Sequence, residues 1–547
     1  MSARYNGLGV SPGTAVGPVA RVHGPTLPAR DDVPVDVDTE SARAAESLDA
    51  VADELEALAD RAGASGAVLV RQARMTRDPS LVALVTQYVR TGRAAPRAAW
   101  EGFGAYRDMR ESDPLRGAPD AAELDDVRDR VVARLLGEPP PGIPDPGAPY
   151  VLVARDLSPA LTASLDASRV LALVTERGGP TSHTAVLAKA LGIPAVVGCP
   201  GVASLATGQT VAVDGSAGVV TADPDRELVG AMTRRPASPD REATGPGRTQ
   251  DGRPVPLLAA VGGKGEVEDA LAAGAEGVGV FRTEFCFLER TEPPTVAEQA
   301  AAYREVFDAF AGRPVTVRTL DVGADKPVSF VRLGEQANPA LGVRGLRVAR
   351  RHPQLLADQL AAIARATRES NADVRVMAPM VATTAEAAWF ATRAHEAGVQ
   401  TTGVMVEVPA AALRAADLLQ VVDFVSIGCN DLQQYTFATD REDGELADLL
   451  DPWQPAFLDL VATVLRAGAV AGRAVTVCGE AASDPLLAAV LVGLGAAGLS
   501  MSPRSIPVVR AGLARVTSQQ CAEAAAAAVF AEGPEEGRAR VADLLSA

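Results

Sequence analysis

VPLLAAVG (residues 255–262), GVGVFRTE (277–284), VTVRTLDVG (315–323), VRVMAPMV (374–381), TGVMVEVP (402–409), FVSIGCND (424–431), AVTVCGE (474–480) and AGLSMS (497–502) are eight short apolar runs rich in β-branched residues. Helical stretches separate them. Eight strand–helix repeats in this span predict a (β/α)8 barrel. The alanine-rich segment CAEAAAAAVFAE from Cys521 follows the last run and reads as a closing helix.

Upstream of the barrel, RRPASPDREATGPGRTQDG (residues 234–252) is rich in Pro, Gly and charge and poor in large apolar groups, as in an exposed linker. Before it, YVLVARDLS, VLALVTE, AVVG and TVAVDG read as strands of a smaller α/β unit, and LGVSPGTAVGPVARVH (residues 8–23) as a turn feeding a further strand. Between these parts Leu48, Val51, Leu55 and Leu58 recur at steps of three and four, the spacing of a helix face. PSLVALVTQYV and AAELDDVRDRVVARLLG continue the helical pattern until the proline cluster at residues 138–149 breaks it. The expected organisation is an α/β unit over residues 1–30 and 146–230, an all-helical insert over 35–142, a linker over 231–252 and the barrel over 253–547.

At 547 residues, 47% hydrophobic and 22% charged, the chain has the composition of a soluble multidomain protein. A formal net charge of -17 argues against a nucleic-acid partner, because phosphate backbones repel such a surface. Cys199, Cys286, Cys429, Cys478 and Cys521 are odd in number and scattered, so neither a disulfide framework nor a paired zinc site is predicted, and a reducing cytoplasm fits. No charged stretch precedes an apolar run at the N-terminus, and about 18 uninterrupted apolar residues occur nowhere, so neither export nor stable membrane association is expected.

Two constellations carry chemistry. In RGGPTSHTAVLAKALGIPAVVG (residues 177–198) a glycine turn opens a helix whose first turn holds His183, with Thr181 or Ser182 as cap and Gly192 and Pro194 as the stop. Free N–H groups and the positive helix end would stabilise an incoming anion there, and imidazole is a nucleophile near neutral pH. The bland alternative is a surface histidine on an ordinary strand–turn–helix. His23, His352 and His395 lack such a setting and read as structural.

The second constellation lies where barrel enzymes place their active sites, at the C-terminal strand ends. Arg282 and Glu284, Arg318 and Asp321, Glu407, Asn430 and Asp431, and Cys478 and Glu480 lie at the ends of five of the eight runs, with Arg344 and Arg441 in connecting segments. Converging arginines fit a phosphate and a carboxylate, and Glu407 and Asp431 offer hard oxygen ligands for Mg2+. Structural ion pairs are the alternative for each residue singly; their coincidence at five strand ends favours a site. Cys286 and Cys429 read as packing residues.

SPGTAVG, GGPTSHTAVLAKALGIPAVVG, GVGVFRTEF, VRTLDVGADKP, NPALGVRGLR, MVEVPAA, SIGCNDLQQYT, CGEAASDP and SMSPRSIP together resemble Enzyme I of the bacterial phosphotransferase system, the phosphoenolpyruvate-protein phosphotransferases, over essentially the whole chain. The resemblance implies His183 as the phosphorylated residue and Arg282, Arg318, Arg344 and Arg441 as phosphoenolpyruvate contacts. It also implies Glu407 and Asp431 as Mg2+ ligands, Asn430 as a phosphate contact, Cys478 as the acid that protonates the enolate carbon, and Thr162 as a hydrogen-bond partner of the histidine. The helical insert would dock the carrier HPr, the barrel would form a homodimer, and a rigid-body swing about the linkers would bring His183 to each partner.

Some positions depart from that pattern: Pro180 stands where arginine is common, Cys429 and Gln433 replace threonines, as does Val408, and Glu442-Asp443 replace Gly-Asn. These bear on rate and affinity more than on reaction type. The runner-up, a dikinase or synthase of the pyruvate phosphate dikinase type, needs a large ATP-binding domain upstream of the histidine, and no glycine-rich, lysine-bearing nucleotide segment precedes it here. A non-catalytic scaffold that binds the carrier is the reading from another class.

Overall fold

The computed structural model describes residues 3–546 except for 12, 23, 29–35, 60–65, 112–120, 144–145, 159–160, 162–164, 166–167, 180–181, 216–217, 234–244, 289, 324–327, 335, 337 and 441–443. The chain divides into two compact units, residues 1–235 and, apart from the short segment 441–447, residues 236–547.

In the first unit, β1 (Arg4–Asn6), β2 (Leu8–Ser11), β3 (Thr14–Arg21), β4 (Tyr150–Ala154), β5 (Val170–Thr175), β6 (Ala195–Val197), β7 (Thr210–Asp214) and β8 (Val219–Ala222) form one mixed sheet in the order β1-β8-β7-β3-β4-β5-β6-β2. Its centre, β3-β4-β5-β6, is parallel and the flanking pairs are antiparallel. Val151, Leu152, Leu173, Val174 and Val196 are fully buried, because apolar packing on both faces selects continuous apolar runs in central parallel strands. The short outer strands β1 and β8 escape sequence reading: Arg4, Tyr5 and Asn6 carry no apolar run, and Val219–Ala222 is only four residues long.

The chain leaves the sheet after β3 and returns at β4 through five helices: α1 (Val37–Ala59), α2 (Gly66–Thr76), α3 (Pro79–Arg90), α4 (Ala95–Glu111) and α5 (Ala121–Leu136). They pack around a core of their own. Leu48, Val51 and Leu55 of α1 are buried against Leu81, Val85, Phe103, Val127 and Val131, as the three-four spacing predicts, and Leu58 packs at its rim. Asp78 caps α3 by accepting from the Ser80 N–H at 2.8 Å and takes the Tyr106 hydroxyl at 2.9 Å, which ties α4 to the cap.

The second unit is a closed parallel barrel of β9 (Leu257–Val261), β10 (Val278–Arg282), β11 (Pro314–Arg318), β12 (Asp373–Ala378), β13 (Thr402–Val406), β14 (Phe424–Gly428), β15 (Val475–Cys478) and β16 (Gly498–Met501), with β16 pairing back onto β9. Six strands lie within the corresponding apolar runs, and β11 and β12 begin one residue before theirs, at Pro314 and Asp373. Val280, Met377, Met405, Phe424 and Cys478 fill the interior, and a larger core lies between strands and surrounding helices. The segment Asp448–Ala471 is apolar enough on average to pass for a membrane span; its helix Pro455–Ala471 instead buries Phe457, Leu458, Val461 and Val464 in the barrel core.

Gly493 marks the tightest helix contact at the end of the chain. A β-carbon there would lie 1.9 Å from the carbonyl oxygen of Cys521, in the helix Ser518–Val529. That partner is backbone and cannot rotate away. Gly493→Ala is expected to cost about 1–3 kcal/mol through overpacking, read as a lower midpoint for the barrel's thermal unfolding by circular dichroism; an unchanged midpoint would show that the two helices slide apart freely.

Candidate active site

His183 is the first residue of α6 (His183–Leu191), which follows the turn after β5. Ser182 caps this helix by accepting from the Ala185 N–H at 3.3 Å, and its own N–H bonds the Gly179 carbonyl at 3.0 Å. Gly178, at φ +100°, gives the turn a backbone that other residues resist, and Gly192 at φ +66° ends the helix. The first turn of a helix leaves its N–H groups without helical acceptors, so the main chain of His183 stands where an anion is favoured. Thr162, Pro180 and Thr181 lie outside the described residues.

At the barrel mouth the strand ends deliver a buried cluster. Arg318, the last residue of β11, donates to Glu284 Oε1 at 3.0 Å and pairs with Asp321 Oδ2 at 3.3 Å. Arg344 donates to Asp321 Oδ2 at 3.0 Å and to Asp431 Oδ1 at 2.7 Å, and its side chain is 3% exposed. Asp431 sits in the first turn of the helix Cys429–Thr436. Glu407, directly after β13 and 1% exposed, accepts the Met380 N–H on Oε1, while its Oε2 rests on Gly428, where a β-carbon would come within 2.9 Å.

These charges set one another's protonation. Burial opposes the charge on Arg318 and Arg344, but the surrounding carboxylates outweigh it and hold both guanidinium groups firmly protonated. Glu407 is pushed up to about 8, first by burial and then by Asp431 and Asp321, against the pull of the two arginines. Among the described residues the cluster sets four carboxylates, Glu284, Asp321, Glu407 and Asp431, against two guanidinium groups. With Glu407 raised to about 8 and so holding its proton at neutral pH, the buried excess is a single negative charge. A divalent cation would displace that proton, and the hard oxygen donors fit Mg2+, which needs only one or two carboxylates beside its other ligands.

Cys478 ends β15 inside the mouth, 5% exposed, with its thiol donating to the Ile427 carbonyl at 3.1 Å. Burial pushes this thiol up to about 11, so it carries its proton at neutral pH. Asn430 is exposed at the start of its helix, its side-chain oxygen accepting the Glu480 N–H at 3.4 Å. Arg282 stands apart from the buried cluster: half-exposed, it pairs with Glu266 at 3.0 Å. Arg441 lies outside the described residues.

Two further contributors were not singled out from sequence. The Tyr435 hydroxyl lies 3.4 Å from Arg344 Nη1 and donates to the Ala340 carbonyl, bracing the arginine from the far side. Its place four residues after Asp431, one helical turn on, is a signal the sequence offers. Met380 presents its N–H to Glu407 from φ +59°, a left-handed conformation no methionine advertises.

Three descriptions of PEP-utilising enzymes match the chain in order: the N-terminal part at residues 6–113, the mobile domain at 146–218 and the PEP-binding domain at 237–518. The phosphoenolpyruvate-protein phosphotransferase of Streptomyces coelicolor is 49% identical with complete coverage of both chains, and that of Geobacillus stearothermophilus 35% identical over 94% of each. A multiphosphoryl transfer protein of Xanthomonas campestris is 39% identical over 95% of this chain and 65% of its own length. With relatives of that name aligned end to end, the chain belongs to the phosphoenolpyruvate-protein phosphotransferase family of transferases, Enzyme I of the bacterial phosphotransferase system.

Proposed function

We propose that the chain transfers the phosphoryl group of phosphoenolpyruvate to its own His183 and then to the histidine of the carrier HPr, the first step of the sugar phosphotransferase system. The observation that carries the reading is the convergence of Arg318, Arg344, Glu407, Asp431 and the protonated Cys478 at one barrel mouth. Arg318 and Arg344 are permanent cations held in fixed orientation, suited to the phosphate and carboxylate of a small trianion, with Arg282, Asn430 and Arg441 as further contacts. Positioning and charge neutralisation supply most of the catalysis in phosphoryl transfer.

In this reading the imidazole of His183, oriented by Thr162, attacks phosphorus while the bond to the enol oxygen breaks. The enolate carbon takes the proton of Cys478, pyruvate departs, and the thiolate regains a proton from water. Glu407 and Asp431 would hold Mg2+, which when bound neutralises charge on the phosphoryl oxygens. The reading places the domains at the boundaries expected from sequence, with 1–30 and 146–230 as the phosphohistidine unit, 35–142 as the HPr-docking insert, 231–252 as linker and 253–547 as the phosphoenolpyruvate-binding barrel. The helix Arg226–Thr233, however, runs past the bound at residue 230, and Gln250 and Asp251 of the expected linker are hydrogen-bonded to Val516 and Ser518 of the barrel unit. A cytoplasmic homodimer joined through the barrel completes the reading, and the acidic α1 face suits a partner with basic residues around its histidine.

Phosphoenolpyruvate and Mg2+, without ATP, are expected to place one acid-labile phosphoryl group on His183 by peptide mass spectrometry, and HPr is expected to drain it. A requirement for ATP would transfer the chain to the dikinase reading, and labelling by neither donor would make it a scaffold. Cys478→Ala is expected to slow pyruvate formation by about 10²- to 10⁴-fold, the usual contribution of a general acid, while phosphorylated HPr still labels His183 at the wild-type rate. Arg344→Lys keeps the charge but loses the two-sided fork to Asp321 and Asp431. A fall in kcat/KM for phosphoenolpyruvate of about 10²-fold or more is expected; wild-type kinetics would remove Arg344 from the site.

A further inference from the structure

Behind the mouth, a run of buried polar side chains joins two outer helices to the turn that carries Arg318 and Asp321. Gln359, 1% exposed in the helix Pro353–Arg368, donates through Nε2 to the Thr283 hydroxyl at 2.9 Å and to the Tyr303 hydroxyl at 3.1 Å, and accepts the Leu320 N–H on Oε1 at 2.9 Å. Thr283 passes its own proton to the Arg318 carbonyl at 2.9 Å. Tyr303 donates to Gln299 Oε1 at 3.0 Å, and Gln299 donates to the Pro294 carbonyl at 3.0 Å.

Each direction in this network is forced. The Leu320 N–H can only donate, so it faces the amide oxygen of Gln359 and turns the NH2 toward Thr283 and Tyr303; the Arg318 and Pro294 carbonyls fix the two ends as acceptors. All four side chains are almost fully buried, and every hydrogen-bonding atom named here is used. The remaining donors of the turn are also committed, with Thr319 N–H on the Met377 carbonyl at 3.0 Å and Asp321 N–H on Glu284 at 3.0 Å.

The Leu320 N–H and the Arg318 carbonyl are backbone groups that apolar packing would leave unpaired, but one acceptor and one donor with no further partners would satisfy them. A directed network of four side chains instead fixes one orientation. We propose that Gln359 is a positioning residue: through Thr283 and the Leu320 N–H it holds the backbone of residues 318–321 so that Arg318 and Asp321 present one geometry to phosphoenolpyruvate. The proposal rests on the placing of that substrate at the barrel mouth. Gln359 touches no reacting atom in this scheme; it acts on Arg318 and Asp321 through their own main chain.

The test compares Gln359→Met, which keeps the volume and loses all three hydrogen bonds, with Thr283→Val and its conservative counterpart Thr283→Ser, each assayed where circular dichroism shows the full chain folded. Gln359→Met and Thr283→Val are expected to raise the KM for phosphoenolpyruvate roughly tenfold or more, as sub-ångström misplacement of binding groups does. Thr283→Ser is expected to stay within about twofold of wild type, because it retains the hydroxyl that the network uses. Labelling of His183 by phosphorylated HPr, which needs no barrel site, is expected to be unchanged in all three. A crystal structure of Gln359→Met with residues 318–321 in their wild-type positions would overturn the proposal whatever the kinetics. A displaced turn with wild-type phosphoenolpyruvate kinetics would overturn it too, and with it the placing of the substrate.

Discussion

Arg344 is nearly inaccessible to water and keeps its charge by holding Asp321 on one side and Asp431 on the other. A lone buried guanidinium is costly, and so is a lone buried carboxylate; the cluster exists only because its members are assembled together. That condition dictates much of the barrel's upper end. Strand β11 must finish at Arg318, the segment after it must turn Asp321 inward, and the helix after β14 must begin at Cys429 for Asp431 to fall in its first turn. The same constraint makes the mouth rigid, since moving one charge exposes the desolvation cost of its partners. Rigidity of this kind is an asset at a site that works by positioning and charge neutralisation.

Much of this arrangement is legible in the sequence. The eight barrel strands announce themselves because parallel strands covered on both faces demand uninterrupted apolar residues, and runs such as FVSIG and TGVMV satisfy little else. The helix opening at His183 is equally legible, since a glycine turn, a serine cap and a terminal glycine each have a local physical cause. Local causes are what a sequence displays.

What it does not display is direction and partnership. Arg282 and Arg318 both end a strand and both precede a threonine, yet one lies half-exposed on Glu266 and the other is buried between Glu284 and Asp321. Nothing within either segment separates them; the difference lies in which neighbours the barrel brings alongside. The N–H of Met380 on Glu407 and the Tyr435 brace on Arg344 are invisible for the same reason, because each joins residues that only the closed barrel makes adjacent. Strands β1 and β8 escape on different grounds: β1 is a three-residue edge strand with no apolar run, and β8, buried at Val220 and Ala222 between β1 and β7, is only four residues long.

The five-helix insert occupies a telling place in the first unit's topology. It joins β3 to β4, which lie side by side and parallel, and two parallel neighbours can be linked only by a crossover that runs back along the sheet. Some connection is therefore compulsory, but its content is not, and the entropic cost of lengthening such a link grows only slowly. The insert has its own core, so the sheet does not depend on it for apolar cover. The segment between β3 and β4 can therefore differ in length and content while the parallel pairing of the two strands stays as it is.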